Sequence, residues 1–104
     1  MNQQDDIDAI IAKVNRDGYA HLGHFHGMGC HGTYGQTLDT CEVTKTGKTY
    51  RITRTHERGS AESSWTLTKG RYPRKLIAEA LADLRLYNEA EDARHRAEIG
   101  KVSA

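Results

Sequence analysis

The sequence predicts one α+β domain: an N-terminal helix, an antiparallel meander of three to four strands, and a long C-terminal helix packed on one sheet face. Three observations predict it. Apolar residues recur at helical spacing at both ends of the chain, they alternate with polar residues through the middle, and turn-forming residues separate the alternating stretches.

The first helix is expected over 4–17, where Ile7, Ile10, Ile11 and Val14 form a single apolar stripe. Asp5 or Asp6 stands where a cap is needed and Gly18 where a helix can end. Residues 19–35 hold five glycines, four of the six histidines and no Asp, Glu, Lys or Arg. They read as a strand over 19–26 that passes into a glycine-rich loop. A second strand over 37–45 puts Cys41 and Val43 on one face, and Thr46-Gly47 makes a tight turn. The returning strand, 48–56, alternates Tyr50, Ile52 and His56 against Thr49, Arg51, Thr53 and Thr55. After a looser turn over 57–62, strand 63–69 is expected to turn Trp65 and Leu67 toward the core. Pro73 suits the first position of the last helix, and Leu76, Ile77, Ala80, Leu81 and Leu84 give it the strongest apolar stripe of the chain. Residues 88–104 keep helical propensity with almost no apolar surface, so this extension is expected to project into solvent or to form a homodimer.

The 104 residues suffice for one small domain and exclude a multidomain enzyme. Leu, Ile, Val and Phe number only 17, so a metal, a second subunit or a bound partner is expected to support the core. No apolar run exceeds eight residues and the N-terminus is acidic, which predicts a cytoplasmic protein with no membrane contact and with Cys30 and Cys41 as free thiols.

The formal charge of +1 conceals strong segregation. Residues 43–75 carry nine basic and two acidic residues, while the segments on either side are net acidic. Lys48, Arg51, Arg71, Arg74 and Lys75 are therefore the candidate binding residues, interleaved with threonines on the sheet face away from the helix. Cations neutralise phosphates and hydroxyls add positioning contacts, so such a surface suits nucleic acid or a nucleoprotein. The order of helix, three antiparallel strands and helix over 4–87, with Arg74-Lys75 opening the last helix, resembles the layout of double-stranded RNA-binding domains. Thr46-Gly47-Lys48 stands where that family has a longer histidine-bearing loop.

A second feature is the cluster of His21, His24, His26, Cys30 and His31. His24 and His26 would share one face of a strand, and Cys30 would return opposite His26 if 27–29 formed a turn. That set of ligands fits a structural Zn(II) ion. Catalysis is not expected: Cys41 and His56 would share the face that the last helix covers, and 18–35 offers no carboxylate base. The sequence thus reads as a small non-catalytic binding or regulatory protein, an inhibitor or accessory protein of the bacteriophage type. Its expected partner is a protein, a nucleoprotein or a nucleic acid. The alternative is a zinc-stabilised domain built on His24, His26 and Cys30.

Overall fold

A computed structural model of the chain describes residues 3–28, 33–58 and 61–103. The elements run α1 (Gln3–Asp17), β1 (Tyr19–Met28), β2 (Tyr34–Thr46), β3 (Thr49–Arg58), β4 (Ala61–Gly70) and α2 (Pro73–Ser103). The strands form one antiparallel sheet in the order β1-β2-β3-β4. The α+β architecture expected from the sequence is therefore present, with four strands. The fourth strand departs from the three-strand order of the double-stranded RNA-binding layout.

Local chemistry explains the boundaries. Gly18 adopts φ 79° and donates its N–H to Val14 O at 2.8 Å, the left-handed cap that ends α1. The helix starts at Gln3, so positions 5 and 6 lie inside its first turn instead of capping it. Thr46 pairs with Thr49, which leaves Gly47 and Lys48 as a two-residue hairpin turn. Gly47 at φ 62° supplies the positive first position that a type II′ turn needs. Part of the expected glycine-rich loop is strand, because β1 continues to Met28 and β2 starts at Tyr34, and residues 29–32 lie outside the described residues.

Both helices lie on one sheet face. Ile7 and Val14 of α1, Ala20, Phe25, Cys41, Val43, Tyr50 and Ile52 of the sheet, and Leu76, Ile77, Ala80 and Leu84 of α2 form a single buried cluster. At Gly23 the helix comes so close that an added Cβ would stand 2.8 Å from Leu84 Cδ2. The opposite sheet face is open and polar. Its rows run Tyr19, Thr44, Arg51, Lys69; then His21, Glu42, Thr53, Thr66; then His24, Thr40, Thr55, Ser64.

Two expectations change. Trp65 and Leu67 are 46% and 49% exposed. The pairing slips between Ile52↔Thr68 and Thr53↔Thr66, so Leu67 is the extra residue of a bulge, and β4 lies beyond the middle of the helical layer. The polar half of α2 also does not stand free, because it packs along the β1–β2 hairpin. Asn88 accepts the N–H of His26 at 2.9 Å and donates to the carbonyl of His24 at 3.0 Å, so a side chain does the work of a neighbouring strand along the β1 edge. Asp92 is hydrogen-bonded to His26 Nδ1 at 3.0 Å and to the Tyr34 hydroxyl, and His95 stacks on the Tyr34 ring at 3.9 Å. Helical periodicity could not reveal this docking, because the side chains that make it, Asn88, Asp92 and His95, are polar.

Replacing Asn88 with Ala leaves two β1 backbone groups without partners, at a cost of about 1–3 kcal/mol. A thermal melt should fall by roughly 4–8 °C per kcal/mol lost, and the His26 amide should exchange faster with solvent.

Candidate nucleic-acid interface

The β2–β3 turn, the end of β4 and the start of α2 meet at one end of the sheet. There Lys45, Lys48, Tyr50, Arg71 and Tyr72 line a depression of about 360 Å³. Each arrives by simple register. Lys45 and Tyr50 are cross-strand partners, Lys48 is the second turn residue, and Arg71 and Tyr72 follow directly after β4. The Tyr50 hydroxyl donates to Asn15 Oδ1 at 2.6 Å, and Lys45 Nζ reaches the same oxygen at 3.2 Å. These bonds fasten the floor of the depression to the end of α1. Tyr72 is 80% exposed. Among the described residues neither Lys48 nor Arg71 has a carboxylate within ion-pair distance. The first turn of α2 contains no acidic residue, so its dipole adds positive potential at this end.

The other expected binding residues are dispersed. Arg51 sits on the open face between Thr44 and Lys69, with its Nε enclosed and without a hydrogen-bond partner. Arg74 is held by Asp8 of α1 at 2.5 Å. Lys75 lies 4.0 Å from Glu79 with its side chain 80% exposed. The structure therefore brings Lys48 and Arg71 together, adds Lys45, and gives Arg74 a bond between the two helices.

The histidine cluster opens out. Pairing shifts on both sides of Gly23 and His24 give the two predicted ligands different neighbours. His24 packs edge-on against His21 at 5.0 Å, whereas His26 turns to Asp92. Cys30 and His31 lie outside the described residues. Among the described residues, no group of three or more His, Cys, Asp or Glu could hold a metal ion.

Sequence reasoning missed a second constellation. Arg54, one of the nine cations of 43–75, lies on the helix-facing side with Tyr50 and Ile52. Its Nε donates to Asp39 Oδ2 at 2.7 Å and its Nη2 lies 2.6 Å from the same oxygen. His56 Nδ1 meets Asp39 Oδ1. The guanidinium stands 4.0 Å over the Phe25 ring and within 5.8 Å and 5.6 Å of the Trp65 and Tyr87 rings. Two signals for this existed. Strict alternation puts residue 54 on the face of 50 and 52, and the hairpin register carries Asp39 opposite His56. Cys41, the partner of Arg54 across β2 and β3, is buried, and that burial, aided by the Glu42 charge, pushes its thiol up to about 11. A thiol held protonated at neutral pH is a poor nucleophile.

Burial works to raise the Asp39 carboxyl, but the hydrogen bonds from His56 and Arg54 and the Arg54 charge outweigh it and leave the group below the usual carboxylate range. At Asp92 the Tyr34 hydroxyl, followed by His26, holds the carboxyl low, and Tyr34, through burial and then the Asp92 bond, is pushed up to about 12. Comparison with protein-family models, curated proteins and solved structures finds no match to this chain.

Because the folded-state value of Asp39 is depressed, the stability it contributes is complete above about pH 4 and is lost as pH falls through the lower folded value. Wild-type protein should therefore lose stability on acidification below pH ~4, and Asp39→Asn should flatten that dependence in melts taken across the acid range. At neutral pH, Arg54→Ala leaves a largely buried carboxylate without its main partner and should cost about 3 kcal/mol, a fall of more than roughly 10 °C in melting temperature.

Proposed function

We propose that this protein is a non-catalytic binding module that engages the phosphate backbone of nucleic acid through the basic end of its sheet. It would serve as an accessory or regulatory component of nucleic-acid-handling machinery. The observation that carries this reading is the depression where Lys45, Lys48 and Arg71 converge beside the Tyr50 and Tyr72 rings. Cations this close, on a chain of net charge +1, repel one another unless an anion shares the space. A polyanion answers that repulsion by releasing its own counterions. Tyr72 offers an exposed ring on which a base can stack. No contact here reads base edges, so the reading is of backbone affinity without strong sequence preference. No helix among the described residues is long and apolar enough to cross a membrane.

Fluorescence anisotropy with labelled single-stranded and duplex oligonucleotides, run as a salt series, tests this. Lys48→Glu combined with Arg71→Glu should weaken binding at least tenfold and lower the salt slope by about 1 per lost contact, whereas Arg85→Glu should change neither. Unchanged affinity and slope in the double variant would overturn the proposal.

A further inference from the structure

We propose that the open edge of β4 is a self-association surface, on which a second copy of this chain adds its own β4 antiparallel to form a continuous eight-stranded sheet. The two edges of the sheet are treated differently. At β1, Asn88 satisfies two groups of the edge backbone and α2 lies alongside. At β4, the last strand in the order, the outward N–H and C=O groups have no strand beside them among the described residues. Such an edge is a template for another strand, and proteins that remain monomeric blunt it with charge, proline, a β-bulge or a covering segment. The β4 sequence, AESSWTLTKG, has no proline and only two charged residues, Glu62 and Lys69, one near each end, so the bulge at Leu67 is the one such device along its middle.

Register argues for a second copy over any other occupant. Residues directly opposite across an antiparallel pair share a sheet face. A two-fold axis at Trp65 pairs Trp65 with its own counterpart and Ser64 with Thr66. With Leu67 left out as the bulge residue it already is, it then pairs Ser63 with Thr68 and Glu62 with Lys69. Every one of these pairs joins residues that occupy the same face in β4's existing pairing with β3. Each end of the shared ladder brings an acidic position against a basic one, and the arrangement is self-complementary, as a two-fold contact must be. At its centre lies Trp65, the one tryptophan of the chain, 46% exposed and flanked by Leu67 at 49%. Pairing two copies would withdraw both residues from water. The interface is separate from the basic depression, so it neither requires nor excludes nucleic-acid binding.

Trp65 reports on this surface directly. In a concentration series followed by light scattering and intrinsic fluorescence, wild-type protein should pass to a species of twice 11.6 kDa. The tryptophan emission should shift to the blue in step with the change in mass. Glu62→Lys should weaken association about tenfold by placing like charges opposite each other at both ends, and Glu62→Lys with Lys69→Glu should restore it. A wild-type protein that stays at 11.6 kDa throughout overturns the proposal. So does a dimer whose Trp65 emission is unmoved, or whose affinity ignores the charge reversal and its rescue.

Discussion

The pairing of Arg54 with Asp39 is the constraint on which the rest of this structure depends. A charged guanidinium taken from water needs its charge met, and Asp39 meets it while accepting from Nε and Nη2. The single side chain of Arg54 touches or faces every layer of the molecule: Phe25 of β1, Asp39 of β2, Trp65 of β4 and Tyr87 of α2, from its own place on β3. A chain with so few large aliphatic residues lacks the apolar volume to fill that space. It uses instead a long side chain whose flat cation packs on aromatic rings, which covers much the same area while remaining anchored at one oxygen.

That choice changes the meaning of the charge pattern. The excess of cations in 43–75 looks in the sequence like one surface, yet its members divide by what faces them. Arg54 is met by Asp39 and Arg74 by Asp8, so carboxylates of the acidic segments serve as internal counterions. Asp92, from the acidic last segment, closes the β1–β2 hairpin through His26 and Tyr34 in the same way. Segregation along the chain therefore becomes neutralisation in space wherever two segments pack. It persists as net positive charge where the arriving segment offers an amide instead of a carboxylate, at Asn15 of α1 beneath Lys45, with Lys48 and Arg71 beside it.

What was legible in the sequence follows the same division. Both helix stripes, the β2–β3 hairpin with its glycine turn and the faces of Cys41, Val43, Tyr50 and Ile52 could be read, because apolar periodicity reports burial on a regular element. The bulges could not. A single extra residue near Leu22 or at Leu67 reverses every later side chain on its strand, and nothing in the local composition announces it. A further shift between His24 and His26 is why those two part company, whereas Trp65 keeps the helix-facing side opposite Arg54 and is exposed because β4 lies beyond the middle of the helical layer. The docking of 88–95 was hidden for a different reason. Asn88, Asp92 and His95 look like a solvated face until the histidines, the Tyr34 ring and the β1 backbone are set against them. For the candidate site, Lys48 and Arg71 were legible as charge, whereas their convergence with Lys45 and the two tyrosines needed the turn register and the path out of β4.

The two proposed surfaces have a geometric consequence when taken together. In an antiparallel β4 pair centred at Trp65, the C-terminal ends of the two strands point in opposite directions, so the basic ends lie at opposite ends of the joined sheet. Lys69 lies four residues past the axis and, with Leu67 bulged, stands opposite Glu62, so at about 3.3 Å per residue the two Lys69 positions are roughly 20–26 Å apart along the strands. A monomer with three converging cations would hold a polyanion weakly and exchange it quickly. Two such ends on one rigid sheet would make the second contact intramolecular, and the gain in affinity would come from geometry without any new contact at either end.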